Sequence, residues 1–206
     1  MFSDVSSIVK DVVLTCSGVI GAYVALKGLS TWNRQLKGSI EYDLARRLLR
    51  SAYQLREAIK GVRHPFMWSE EMPLPDAEKA ASMSADVIRY SGLASAYQVR
   101  WDKVAAVRTN LQTDMVEAEV LWGRVIYDRY TPMFELQNEL YRDVHSYLGL
   151  CNPNELPAMK EALTKARQAR RQVLYDLSSD ELDDFSKEVN LAIWKIEEYL
   201  KPHLRK

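Results

Sequence analysis

Residues 8 to 29, IVKDVVLTCSGVIGAYVALKGL, constrain this chain more than any other stretch. The uninterrupted apolar part, Val12 to Leu26, covers only about 22 Å of a ~30 Å hydrocarbon layer at ~1.5 Å per residue. Extension to Ile8 and Leu29 gives a length that spans, and brings in Lys10, Asp11 and Lys27 near its ends. Lysine snorkels to the headgroups there, and a carboxylate stays in the interface. Trp32 follows at headgroup level, where tryptophan is favoured. The run is therefore expected to be a single membrane-spanning helix. The alternative is a buried helix of a soluble core. A cleaved signal peptide fits poorly, because Asp4 and Asp11 offset Lys10 and no small-x-small cleavage site follows.

Within the run, Ser17, Gly21 and Ala25 recur every four residues, flanked by Gly18 and Ala22. Small residues at this spacing let two helix backbones approach closely in lipid, so this face is expected to pair with a second copy. Lys27, Arg34 and Lys37 outnumber Lys10 across the span, which places residues 30 to 206 in the cytoplasm. The domain division is then 1–29, tail and anchor, and 30–206, a cytoplasmic helical bundle.

Roughly 175 residues beyond the anchor suffice for one helical domain. The 28 basic and 28 acidic residues cancel, which removes the electrostatic argument for nucleic acid. Two cysteines, Cys16 and Cys151, cannot make a disulfide framework and fit a reducing compartment. The expected fold is all-α: an N-terminal transmembrane helix followed by an antiparallel bundle of long helices.

In residues 31 to 63, Ala45, Leu48, Ala52, Leu55, Ile59 and Val62 repeat in steps of three and four, the seam of a bundle helix. Residues 64 to 75, HPFMWSEEMPLP, break it through Pro65, Pro73 and Pro75. This apolar break is expected to fold back onto the bundle as a covered loop, the alternative being that it faces a partner. Helix resumes from Asp76 to about Tyr90, with Gly92 as a kink or short break. From Leu93 the pattern runs through Tyr97, Trp101, Val104, Leu111, Met115 and Trp122. Gly123 and Pro132 are weak points, with continuation through Leu140 to Leu148. Asn152-Pro153-Asn154-Glu155 and Ser178-Ser179-Asp180-Glu181 read as helix N-termini, the first opening a helix expected to carry Met159, Leu163, Ala166, Val173 and Leu174. The last helix carries Phe185, Val189, Ile193, Ile196 and Leu200.

No catalytic constellation stands out, so no enzyme, cofactor or metal is expected. His64, His145 and His203 form no metal-binding pair at helical spacing. Glu135 and Glu139 lie one turn apart and could share a metal, although a solvated face is the plainer reading. Lys165, Arg167, Arg170 and Arg171 form the strongest basic cluster, and Arg167, Arg170 and Arg171 are expected on one helix face at i, i+3 and i+4. They are candidates for anion or lipid contact, against the simpler expectation that they pair with Asp180, Glu181, Asp183 and Asp184.

Three stretches carry a resemblance: TWNRQLKGSIEYDLARRLLRSAYQLREAIKGVRHPF after the apolar segment, AYQVRWDKVAAVRTNLQTDMVEAEVLWG, and FSKEVNLAIWKIEEYLKPHL at the end. Together with the N-terminal run they resemble an uncharacterised family of bacterial single-pass membrane proteins with a cytosolic helical domain. The resemblance implies a bacterial inner-membrane location and assigns no functional residue. The functional expectation is a membrane-tethered interaction or scaffold protein, with an unknown protein partner and homo-oligomerisation through the anchor. A membrane-linked sensor or effector in a stress or phage response is the alternative, and an all-soluble helical protein is a further one.

Overall fold

In the computed structural model, the described residues are 2–73, 75–176 and 183–204; of residues 2–16, 19, 20, 77 and 79 only the backbone is described. All regular structure among them is helical. α1 (Phe2–Arg63) is one continuous helix, and short α2 (Ala77–Ala81) precedes α3 (Ala85–Trp122). α4 (Val125–Cys151), α5 (Pro157–Gln168) and α6 (Asp184–Leu200) complete the chain, which ends in a 3-10 turn, Lys201–Leu204.

The C-terminal part of α1, with α3, α4 and α6, surrounds one core. α1 packs against α3 and α6, and α4 packs against the same two. Cross-contacts fix the directions. Arg47 reaches Asp114 and Glu117, while Arg100 reaches the carbonyl of His64, so α1 and α3 are antiparallel. Tyr53 donates to Glu197 at 2.9 Å and Arg63 to Ser186 at 2.8 Å, so α1 and α6 are antiparallel too. The ring pairs Tyr97–Tyr147 and Trp101–Tyr141 set α3 against α4 in the same sense. The result is an up-down-up-down bundle, the antiparallel arrangement expected from the seams.

Every position of the expected α1 seam, from Ala45 to Val62, is buried, and so are Phe185, Val189, Ile193, Ile196 and Leu200 of α6. Apolar residues at steps of three and four bury one stripe of each helix. Tyr130 lies wholly inside, and its hydroxyl donates to the Leu48 carbonyl at 2.9 Å. That bond satisfies the one polar atom of a ring whose burial raises its pKa.

Several local expectations are corrected. The stretch 76–90 is not one helix. Ser84 caps α3 through its side chain, accepting from the Val87 N–H, and separates it from α2. Gly92 is no break. It is buried within α3, and a Cβ there would stand 3.3 Å from the Cβ of Met72, so the missing side chain admits the 64–73 loop. The long pattern from Leu93 is instead cut at Gly123, with φ +75° and ψ −170°, a conformation that a side chain disfavours. α4 then runs on through Pro132. Asn152 does not start a helix. Its N–H caps α4 by donating to Leu148, and its side chain accepts from the Asn154 N–H. The proline at a first helical position is Pro157, not Pro153. α5 stops at Gln168, so Val173 and Leu174, although buried, lie beyond it. The expected cap at Ser178 to Glu181 lies outside the described residues.

Gly123→Ala is expected to lower the unfolding free energy by about 1–3 kcal/mol, because alanine must adopt the glycine conformation or shift the α3–α4 corner. Urea denaturation followed by circular dichroism measures it. An unchanged midpoint would contradict the role given to this residue.

Candidate interaction surfaces

α1 outruns the bundle. Its first core residue is Leu44, whereas residues 21 to 30 and 32 to 40 are exposed. Residues 17 to 40 of an α-helix extend about 36 Å. Tyr23, Val24, Leu26, Leu29, Trp32 and Leu36 are each more than half exposed along it. The pattern changes along this projection. From Gly21 to Leu26 every residue is apolar or small, so the helix is apolar all round. From Leu29 onward the apolar residues Leu29, Trp32, Leu36 and Ile40 fall on one stripe, with Arg34 and Lys37 off it.

Ser17, Gly18, Gly21, Ala22 and Ala25 are all exposed, and an added Cβ at Gly18 or Gly21 meets nothing within 4 Å. The small-residue face is therefore open within this chain. Among the described residues, no helix is long and apolar enough to cross a membrane. Much of the expected span, residues 8–16, 19 and 20, lies outside the described side chains.

The arginine cluster is arranged differently from expectation. The helix ends before Arg170 and Arg171, so helical spacing does not put the three on one face. Arg171 forks onto Glu139 through Nε and Nη2, both at 2.7 Å, and onto Glu188 through Nη1 at 2.6 Å. Those bonds raise its pKa. Arg167 Nε stands 3.2 Å from Asp143 Oδ1, and its guanidinium lies over the Tyr147 ring. Arg170 is exposed and its side chain makes no ion pair among the described residues. The expected acidic partners go elsewhere: Asp183 binds Arg63 and Asp184 pairs with Lys187. Asp180 and Glu181 lie outside the described residues. Glu139, expected one turn from Glu135, is bound by Arg171.

Two arginines that the pattern did not single out are the most buried cations. Arg63 is 3% exposed at the last position of α1. Its Nε donates to the Val173 carbonyl at 2.6 Å and Nη2 to the Tyr175 carbonyl at 2.7 Å. Nη1 donates to Asp183 at 2.6 Å and to Ser186 at 2.8 Å. Arg100, 4% exposed on α3, donates to the carbonyls of His64 and Phe66 at 2.6 and 2.5 Å and to both oxygens of Glu71. The 64–71 loop is thus held by one guanidinium. The sequence signal for both was present in principle: an arginine at the seam edge beside a helix break, and one among core aromatics.

The loop is only partly covered. Met67 packs against the core, while Phe66 and Trp68 are 73% and 68% exposed. Trp68 and His64 border an open groove of about 1130 Å³ between the outer face of α1 and the flank of α3. Its apolar lining comes from Leu49, Tyr53, Ala58 and Gly61 of α1 and Ala106 and Val107 of α3. Arg46, Arg50, Lys60 and Lys103 stand around it, and Leu204 meets it from the C-terminal turn.

No group of three His, Cys, Asp or Glu side chains able to hold a metal occurs among the described residues. The histidines sit against rings or carbonyls: His203 stacks on Trp122 at 4.4 Å and His145 meets Tyr141 edge-on. Cys151 is half-buried at the end of α4 beside Tyr147. Compared with known proteins, the chain matches no family model, no curated protein and no solved structure.

The ion pairs give a pH dependence with a fixed sign. The Arg100 hydrogen bonds hold the Glu71 carboxyl below its usual range, and Arg171 does the same for Glu139. Burial pushes the Asp183 carboxyl up, but the hydrogen bonds from Arg63 and Ser186 outweigh it, so it too ends below its usual value. A depressed carboxyl contributes stability above its unfolded pKa and loses it as pH falls through the folded pKa. The unfolding midpoint is therefore expected to stay level down to about pH 5 and to fall below about pH 4. Arg63→Met, which leaves Asp183 buried without its partner, is expected to cost about 3–5 kcal/mol at neutral pH. Urea titrations across pH check both; a midpoint that rises on acidification, or an Arg63→Met chain as stable as the parent, would contradict them.

Proposed function

We propose that this chain is a membrane-tethered helical interaction module, with the projecting part of α1 as the tether and the bundle as the presented domain. The observation that carries this reading is the projection itself. A helix that forms one wall of the core continues about 36 Å beyond it, with large apolar side chains exposed. All-round apolarity from Gly21 to Leu26 suits lipid better than one protein face. The stripe from Leu29 to Ile40, with Trp32 on it and Arg34 and Lys37 beside it, suits the interface on the basic side of the span. The tether would run from about residue 8 to residue 29 of the bacterial inner membrane, with the bundle in the cytoplasm. The open face of Ser17, Gly21 and Ala25 would let two tethers pair, and Gly21→Ile would then weaken association in a transmembrane-helix reporter.

Carbonate extraction of the full chain beside a chain starting at Ser30 tests the tether. The full chain is expected in the membrane pellet, and the shortened one in the supernatant with its helicity retained. Full-length protein in the supernatant would reject the tether and return residues 8 to 29 to the alternative of a soluble helix.

A further inference from the structure

The groove between α1 and α3 is not absorbed by the tether. From Arg46 to His64 it follows α1 for about 27 Å, the length of roughly five helical turns. Its lining residues on α1 recur at 46, 50, 53, 57 and 61, with His64 just past the helix end, and on α3 at 100, 103, 107 and 110. Such rows form two parallel ridges, the shape into which a third helix packs. The floor is apolar, and its end is marked by exposed Trp68, an aromatic of the kind that anchors helix-in-groove contacts.

The charges choose the partner. Both carboxylates in the lining are occupied: Glu71 is bound by Arg100, and Glu57 by Arg56 at 2.8 Å. The cations are freer. Arg46 touches only Asp43, at 3.7 Å, and Arg50, Lys60 and Lys103 make no ion pair among the described residues. An apolar floor with an unneutralised basic rim complements a helix that is apolar on one face and acidic at its edges. A bilayer surface is the less suitable occupant. Arg46 lies seventeen residues, about 26 Å, along α1 from Leu29, beyond the headgroup layer of a membrane that ends there.

We propose that the α1–α3 groove, floored by Tyr53, Ala58 and Val107 and rimmed by Arg50, Lys60 and Lys103, docks an acidic amphipathic helix of a partner protein. This rests on reading the bundle as an interaction domain; the tether enters only in setting the bilayer aside as an occupant. The site would then place the partner away from the bilayer, on the helix that the tether continues.

The test uses the full chain in detergent and a display library of 18-residue amphipathic helices. Apolar positions are fixed as leucine, and polar positions are drawn equally from Glu and Lys. Selection is expected to enrich Glu over Lys. The enriched peptide, followed by fluorescence anisotropy, is expected to bind the double variant Arg50→Glu, Lys103→Glu at least tenfold more weakly. It should bind Lys195→Glu, an exposed change on α6, as it binds the parent. Carbonate extraction of the double variant should still leave it in the pellet, so that loss of docking is not confused with loss of the tether. Equal enrichment of Glu and Lys would overturn the proposal, and so would unchanged binding by the double variant. Displacement of the peptide by phosphatidylglycerol vesicles, lost in the double variant, would also overturn it and assign the groove to lipid.

Discussion

The bundle closes through one guanidinium. Arg63 ends α1 at the point where the chain leaves the core, and all five of its N–H donors are used: Nε on Val173, Nη1 on Asp183 and Ser186, Nη2 on Tyr175 and Asp183. These acceptors belong to the segment after α5 and to the first turn of α6. The Arg63 carbonyl in turn accepts from the Asp176 N–H at 3.0 Å. Without this residue, the Val173 and Tyr175 carbonyls would lose their donor, and α6 would lose the contact that sets its entry. Burying an arginine is costly unless paired, and here a carboxylate, a hydroxyl and two carbonyls compensate, with the Phe185 ring 4.6 Å away. Arg100 repeats the device at the other loop, joining His64, Phe66 and Glu71 to α3. Both crossings at this end of the bundle are therefore polar, while the walls between them are apolar seams.

This division explains what could be read from the sequence. The seams were legible because helical periodicity depends only on which residue types recur: Leu48, Leu55 and Ile59 in α1, and Val189, Ile193 and Ile196 in α6, are buried as their spacing requires. The junctions were not, because they depend on where a side chain lands after the chain has turned. Gly92 resembles a helix breaker, yet serves close packing against Met72, whereas Gly123, one glycine among eight, holds the positive φ that ends α3. Asn152-Pro153 carries a helix-start signature, but the Asn152 side chain spends its acceptor on Asn154. The basic cluster illustrates the same limit. Arg171 finds Glu139 and Glu188, 32 and 17 residues away in sequence, partners that a search along the same helix does not reach. The groove was equally hidden, since its two walls are 50 residues apart and its residues look like ordinary polar positions on each helix alone.

Continuity of α1 links these features to function. The same helix carries the exposed apolar projection, the core seam, one wall of the groove and, at its last residue, the Arg63 junction. Helical propensity alone does not hold such a projection straight; tertiary packing does so only from Leu44 onward. Lipid around the segment near Gly21 to Leu26 would supply the missing environment, since a helix satisfies its own backbone there. The bundle would then stand at a set distance from the bilayer, with the basic groove running along the helix that carries the projection. Such an arrangement would make the proposed tether a geometric element as well as an anchor.

A proposed tether that continues the bundle wall requires one rigid helix from end to end. The most direct measurement is the distance between spin labels at Leu26 and Lys60, in the full chain reconstituted in lipid nanodiscs with Cys16 and Cys151 replaced. Both positions are exposed on α1, 34 residues apart. An unbroken helix places them about 51 Å apart, so one narrow distribution centred near that value is the expected result. A broad distribution, or a centre well below it, would mean that α1 bends or breaks between membrane and core, and would contradict the account.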